Sequence, residues 1–160
     1  MSGRKLLCLR PVLRVRGGEA SPVRTQSLEP GAELIVDHLG YRHHGIYVGD
    51  GLVIHYAGWV RYSRGLIEAV TVRDFAGGCP VHVGRVPAES MHGEDIVRRA
   101  RSRLGERCYD VLRNNCEHFC NWCQVGESRS KQVDLLLLRM ERMVRLVRGV
   151  LPRLPLRLTT

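Results

Sequence analysis

Residues 45–56 carry the strongest local folding signal in the chain. Two short runs rich in β-branched and aromatic residues, 45–48 and 52–56, flank the glycine-rich segment Gly49-Asp50-Gly51. Runs of this composition on either side of a short glycine-containing turn are typical of a β-hairpin. A chain that contains this hairpin must build an antiparallel sheet, so at least part of the fold is expected to be β.

The length of the hairpin loop sets the pairing of the two strands. A three-residue loop with Gly51 in the left-handed conformation pairs Val48 with Leu52, and therefore Gly45 with His55. A two-residue loop shifts this pairing by one residue. Glycine at the third loop position favours the longer loop, so we predict that Gly45 lies opposite His55.

This pairing decides which histidine shares a face of the sheet with His55. Side chains alternate along a strand with a period of two, so a three-residue loop places His43 on that face. A two-residue loop would place His44 there instead. The sequence therefore favours His43 as the partner of His55, with His44 as the alternative.

A second informative stretch, Asn114-Asn115-Cys116-Glu117-His118-Phe119-Cys120, resembles the start of a helix. Asparagines that can cap free backbone N–H groups precede Cys116, and no helix breaker follows until Gly126. In the first helical turn, free N–H groups and the helix dipole favour a thiolate at Cys116. A thiolate nucleophile requires a base, and the hairpin supplies histidines. The two stretches together indicate a Cys/His thiol enzyme.

The remaining segments are predicted to add a helix and further strands, which gives an α+β fold. A helix is predicted at 92–104, because acidic residues begin it, arginines end it and Gly105 follows. Residues 57–65 are predicted to form a loop that either rims a substrate site or is a plain surface loop. Further strands are predicted at Ala32–Leu39, Leu66–Val72 and Val81–Val86.

The positive charge of the chain lies at its ends. The formal net charge is +9, yet residues 29–130 carry 12 basic and 13 acidic side chains. Residues 1–29 lack a sustained periodicity of apolar residues and are predicted to be a flexible basic arm. The interleaving of aromatic and basic residues that is typical of single-strand nucleic-acid binders is missing from both ends, so no nucleic-acid partner is expected.

The tail, residues 133–160, is predicted to contain a basic amphipathic helix at 133–151. Such a helix can lie on an anionic membrane surface, and packing on the rest of the protein is the alternative. The apolar residues of its stripe are Leu136, Leu137, Met140, Met143, Val144, Val147, Val150 and Leu151. The basic residues that fall largely on the other side are Arg139, Arg142, Arg145 and Arg148.

The six cysteines do not resemble a disulfide framework, because three of them crowd into one predicted helix. Neither a secretory signal nor an apolar run of about 18 residues is apparent. The protein is expected in a reducing, cytoplasmic setting, where it could also attach to the membrane surface. Cys116, Cys120 and Cys123 also have the C-x3-C-x2-C spacing of an iron–sulfur site, but such sites need a larger barrel and normally lie near its beginning. A zinc set with His118 is disfavoured, because Cys116, His118 and Cys120 do not share one helical face. No metal is therefore expected, and thiol chemistry requires no organic cofactor.

The quoted residues carry a family resemblance. Tyr109-x6-Cys116-Glu-His-Phe with x3-Cys123-x2-Gly126 follows Tyr41-x-His43-x2-Ile-Tyr-Val-Gly-Asp-Gly-x3-His55. This order resembles the lecithin retinol acyltransferase family, including the HRAS-like suppressor phospholipase/acyltransferases. The resemblance covers about residues 30–132, which are therefore expected to form the catalytic domain.

The resemblance implies a fold and an activity. The fold would be circularly permuted papain-like, α+β, with a small antiparallel sheet packed on helices. Cys116 matches the nucleophile, His43 the general base and His55 the third polar residue, which orients the base. The activity would be transfer of an acyl group from a phospholipid through a thioester on Cys116 to an alcohol, an amine or water. A thiol peptidase or amidase of the same fold, and a non-catalytic module that binds membranes or proteins, are the alternatives.

Overall fold

The computed structural model describes residues 28–58 and 65–150. Three sequence-based predictions therefore lie wholly or mostly outside the described residues. These are the flexible arm at 1–29, the middle of the loop at 57–65, and the last residue of the tail stripe.

Five strands in the described residues form one antiparallel sheet, with the order β4-β3-β2-β1-β5. The predicted strands are present, although the last is shorter than expected. The strands are β1 (Glu33–His38), β2 (Tyr41–Gly49), β3 (Leu52–Tyr56), β4 (Ile67–Thr71) and β5 (Val81–Val83).

The β2–β3 hairpin reaches the predicted pairing by a different route. The predicted three-residue loop is wrong, because Gly49 lies opposite Leu52 and the turn contains two residues, Asp50 (φ 52°) and Gly51 (φ 71°). Two positive φ values match the twist of a tight hairpin. An irregularity between Tyr47 and Gly49 then absorbs one residue, so Gly45 lies opposite His55 as predicted.

Four helices accompany the sheet within the described ranges. The predicted helix at 92–104 is present as α2 (Gly93–Ser102). A short helix that the sequence analysis missed, α1 (Val72–Ala76), begins where Thr71 accepts a hydrogen bond from the N–H of Asp74. The others are α3 (Cys116–Val125) and α4 (Lys131–Val150).

The start of α3 is fixed by its own sequence. The side chain of Asn115 accepts hydrogen bonds from the N–H groups of Glu117 and His118. The Nδ1 atom of His118 accepts in return from the N–H of Asn115 at 3.4 Å, which completes a capping box. His118 therefore has a structural role in the helix cap, and Cys116 is the first helical residue.

Apolar residues cover both faces of the sheet. One cluster joins strand residues to α2 and α3, and the other joins them to α1. Leu34, Val36, Tyr47, Val53, Phe75 and Cys79 form the second cluster. The first consists of Ile46, Val48, Ile54, Tyr56, Ile67, Ile96, Val97, Ala100, Cys116, Phe119, Cys120 and Cys123. Because neighbouring residues of a strand point to opposite faces of the sheet, the side chains of His43 and His44 lie on different faces.

The cysteines follow the sequence expectation at four described positions. Cys108, Cys116, Cys120 and Cys123 are free thiols. Cys79, which lies between α1 and β5, is disulfide-bonded, and the sequence analysis did not predict this. Its argument against a disulfide framework rested on three cysteines that crowd into one helix, and Cys79 is not among them.

A polar network holds the segment before α3 against β3. The guanidinium of Arg103 donates to both carboxylate oxygens of Glu106 at 2.7 and 2.6 Å. The hydroxyl of Tyr56 donates to Glu106 at 3.0 Å, and the amide of Asn114 donates to it at 3.1 Å. Arg103 holds the pKa of Glu106 down to about 2. The network therefore anchors the residue that precedes the Asn115 cap.

Residues up to Ser130 and residues from Lys131 form two separate compact units. The six stripe residues of α4 for which burial is described are 46% to 67% exposed, namely Leu136, Leu137, Met140, Met143, Val144 and Val147. Among the described residues, no helix combines the length and the apolarity needed to cross a lipid bilayer.

We expect Glu106→Gln to lower the free energy of unfolding at pH 7 by about 2 kcal/mol, because it removes hydrogen bonds to a charged group. The folded-state pKa of Glu106 is depressed from 4.5, so its contribution is present above pH 4.5 and is lost as the pH falls towards 2. The free energies of unfolding of the wild type and of Glu106→Gln, measured with urea, should therefore converge as the pH falls. Glu89→Gln on an exposed loop is the control, and equal stability of the two variants at pH 7 would contradict the assignment.

Candidate active site

The two histidines that the sequence placed on one face are in contact. The Nε2 atom of His43 lies 2.8 Å from the Nδ1 atom of His55. Their rings meet edge to face, with centroids 4.9 Å apart. Phe75 of α1 packs against both rings, with centroid distances of 5.1 and 5.5 Å. The shared face is confirmed, and the pair is held between β2, β3 and α1.

His44 belongs to a different set of contacts. Its Nδ1 atom lies 2.7 Å from the Oε1 atom of Glu33, and 4% of its side chain is exposed. Since His44 and His43 are adjacent on β2, their side chains point to opposite faces. The alternative in which His44 is the partner of His55 is therefore wrong.

Cys116 lies beside the backbone of β2. Its Sγ atom is 3.9 Å from the carbonyl oxygen of Arg42, and the N–H of His44 donates towards the sulfur. These two backbone groups flank His43 in the chain. The thiol belongs to the first core cluster, whereas the Phe75 ring that contacts both histidines belongs to the second. The described contacts therefore bring Cys116 to the backbone of β2 beside His43, while the imidazoles of His43 and His55 pack on Phe75.

The structure corrects the expectation of a thiolate at Cys116. Burial raises the pKa of this thiol to about 11, and the charge of Glu117 adds to the rise. The N–H groups at the helix start oppose the rise without overcoming it. Burial, with smaller effects from His55, His38 and His44, holds the pKa of His43 well below its usual range. At neutral pH the site therefore contains a neutral thiol and a neutral imidazole.

Two tyrosines complete the surroundings of the thiol. Burial raises the pKa of Tyr109 to about 12, and the charges of Cys116 and Tyr41 act in the same direction. Tyr41 shows the same pattern, burial first and Cys116 second. Tyr109 also packs closely on Gly65, where an added Cβ atom would lie 2.6 Å from the Cβ of the tyrosine. Both tyrosines stand in the family motif, but the sequence analysis assigned them no role.

Glu117 is buried beside Cys116 in the first turn of α3. The hydroxyl of Ser130 donates to its carboxylate at 2.5 Å. This contact gives Glu117 a structural role. Within residues 28–58 and 65–150, no group of three or more His, Cys, Asp or Glu side chains has a geometry suited to a metal ion.

We expect the alkylation of Cys116 by iodoacetamide to rise about tenfold for each unit of pH between 7 and 10, because only the thiolate reacts and the pKa is raised to about 11. Intact-protein mass spectrometry in a Cys108→Ala background, which removes the exposed free thiol of the described residues, would measure the rate. A plateau reached below pH 8 would instead reveal a preformed thiolate–imidazolium pair.

Comparisons with known proteins identify the family of the chain. The sequence model of the lecithin retinol acyltransferase family matches residues 26–129. The lecithin retinol acyltransferase of Rattus norvegicus is 30% identical over 145 residues, which cover 73% of this chain and 63% of the rat protein. The human lecithin retinol acyltransferase is 30% identical over 162 residues, with 84% and 70% covered. Human phospholipase A and acyltransferase 4 is 29% identical over 126 residues, with 68% and 77% covered.

This chain spans 63% of the length of the rodent acyltransferases that it matches. The family match nevertheless covers more than half of the chain and includes both histidines and Cys116. The chain belongs to the lecithin retinol acyltransferase family.

Proposed function

We propose that this protein is a cysteine-dependent acyltransferase or phospholipase A. It takes an acyl group from a phospholipid ester as a thioester on Cys116 and passes it to an alcohol, an amine or water. The observation that carries the proposal is the contact between the thiol and the β2 backbone on either side of His43, while His43 itself is hydrogen-bonded to His55. The names of the relatives, acyltransferases and phospholipases A, support the choice of a lipid ester over a peptide.

The first half-reaction begins from a neutral pair. His43 accepts the thiol proton as the sulfur attacks the ester carbonyl, so no free thiolate is required beforehand. The carbonyl π electrons move onto oxygen to form a tetrahedral oxyanion. This intermediate collapses with loss of the lysophospholipid oxygen, to which the His43 imidazolium gives its proton. The products are a lysophospholipid and the Cys116 thioester.

The second half-reaction reverses these roles. His43 takes a proton from the incoming alcohol, amine or water, whose oxygen or nitrogen attacks the thioester carbonyl. The C–S bond then breaks, and the sulfur recovers a proton from the imidazolium. His55 orients the imidazole throughout, because its Nδ1 atom lies 2.8 Å from His43.

Backbone N–H groups supply the oxyanion site. The Asn115 side chain already occupies the N–H groups of Glu117 and His118. The N–H groups of His44, Glu117 and Cys116 act to lower the pKa of the thiol. Since the Asn115 side chain already holds the N–H of Glu117, the N–H groups of His44 and Cys116 support the proposal of an oxyanion site beside the sulfur. The family resemblance is the basis for proposing a circularly permuted papain-like arrangement, and the order of the histidine strands before the cysteine helix is consistent with it.

Incubation with a defined phosphatidylcholine, followed by intact-protein mass spectrometry, tests the function. We expect an acyl adduct that is absent from Cys116→Ala and retained by Cys108→Ala, a matched substitution of an exposed thiol. His43→Gln should lose at least a hundredfold in acylation rate, since general-base catalysis contributes roughly 10²–10⁴-fold. His44→Gln should lose far less. An adduct that persists in Cys116→Ala, or cleavage of peptides in preference to lipid, would refute the proposal.

The α4 helix supports a proposed peripheral contact with an anionic membrane. Its apolar stripe is about half exposed, and Arg139, Arg142, Arg145 and Arg148 are exposed as well. Apolar residues of such a helix enter the lipid interface while arginines meet anionic headgroups. Each basic residue near the surface contributes about 1 kcal/mol. The four arginines are therefore sufficient to give measurable binding.

We expect the protein to co-sediment with vesicles that contain phosphatidylserine, and the bound fraction to fall as ionic strength rises. Replacing Arg139, Arg142, Arg145 and Arg148 by Gln should abolish this binding. Replacing four other exposed arginines, Arg85, Arg101, Arg107 and Arg113, by Gln changes the net charge equally and is the control. Equal losses in the two variants would show that net charge, rather than α4, is responsible.

A further inference from the structure

We propose that Glu68 on β4 is a positioning residue of this site, which fixes the tautomer of His55 and so determines the nitrogen of His43 that accepts the thiol proton. The inference rests on the proposed function insofar as it concerns that proton. The sequence analysis assigned Glu68 no role, and its carboxylate lies one strand further from Cys116 than His55.

The sheet register brings Glu68 to His55. The two residues lie directly opposite each other in the β3–β4 pair. The Oε1 atom of Glu68 is 3.8 Å from the Nε2 atom of His55, and the side chains are 29% and 10% exposed, respectively. The other nitrogen of the His55 ring faces His43 at 2.8 Å. Each nitrogen of His55 therefore faces a different polar group.

The chemistry of these groups selects one arrangement of protons. A neutral imidazole has one donor and one acceptor nitrogen, whereas a carboxylate only accepts. At 3.8 Å, beyond hydrogen-bond distance, the carboxylate acts on Nε2 through its charge. A negative charge beside Nε2 favours the His55 tautomer with its proton on Nε2, which leaves a lone pair on Nδ1. The 2.8 Å bond then requires the Nε2–H of His43 to donate to that lone pair. The unprotonated nitrogen of His43 is consequently Nδ1.

This arrangement also serves the charged state of the reaction. When Nδ1 of His43 accepts the thiol proton, its Nε2–H already donates to His55, so no second proton has to move. The Glu68 carboxylate faces the resulting positive charge through the His55 ring, in a part of the sheet where Phe75 contacts both imidazoles. The carboxylate of Glu33 serves the opposite face, where it is hydrogen-bonded to His44.

Long-range proton–nitrogen NMR correlation spectra of the full-length protein, labelled with ¹⁵N-histidine, distinguish the two tautomers directly. We expect the wild-type His55 ring to be protonated on Nε2, and Glu68→Gln to populate both tautomers, because an amide can donate as well as accept. Asp37→Asn is the matched control. Asp37 lies 3.8 Å from His82 on the same sheet, and its replacement removes the same charge.

Kinetics provide a second measurement. Glu68→Gln should lower kcat roughly tenfold with KM unchanged, as is typical when a group that orients a catalytic imidazole is removed. Asp37→Asn should leave both unchanged. If Glu68→Gln fails to fold, Glu68→Val, which suits a strand, replaces it in both experiments.

Two results overturn the inference: a wild-type His55 protonated on Nδ1, or an unchanged His55 tautomer in the Glu68 variant, whatever its kcat. The NMR comparison requires no turnover. A wild-type protein that fails to form an acyl adduct would therefore refute the proposed function while leaving the tautomer assignment to its own test.

Discussion

The pairing of β2 with β3 is the constraint on which the site depends. Gly45 must lie opposite His55, because a slip of one residue would exchange the faces of His43 and His44. Glycine at position 45 is part of the same constraint. A Cβ atom there would lie 2.5 Å from a methyl group of Val53 and 2.8 Å from the ring of Phe75. The strand thus leaves room for an aromatic ring that contacts both imidazoles.

A second constraint is the competition between burial and the helix start at Cys116. Backbone N–H groups at the start of α3 favour a thiolate, yet burial outweighs them and keeps the thiol protonated. Burial acts on His43 in the complementary direction, so the imidazole stays unprotonated. Both effects arise from the same exclusion of water. They leave the Cys116 thiol and the His43 imidazole uncharged.

The sequence was sufficient to predict the features that depend on residues close together in the chain. The hairpin, the Asn115 cap and the end of α3 at Gly126 each depend on residues a few positions apart. The irregularity at Val48 could not be predicted, because a three-residue loop without it and a two-residue loop with it both place Gly45 opposite His55. Both loops therefore give the same shared face for His43 and His55.

Features that depend on distant residues lay beyond the sequence. The raised pKa of Cys116 depends on burial among α2, α3 and the sheet, which no local pattern reveals. The hydrogen bond between Glu33 and His44 requires the β1–β2 register, and the Arg103–Glu106 network requires the fold around Tyr56. The helix α1 was missed because Thr71 ends a strand and caps a helix at once.

The protonation state of Cys116 also bears on its resistance to oxidants. Peroxides attack thiolates, and low-pKa, exposed cysteines are the ones that convert to sulfenic acid. A thiol that is 5% exposed and has a pKa of about 11 presents almost no thiolate to such oxidants. In the proposed mechanism the thiol proton is removed only during the attack on an acyl donor, so no standing thiolate is needed. The same burial that slows the resting thiol thus protects it from oxidation.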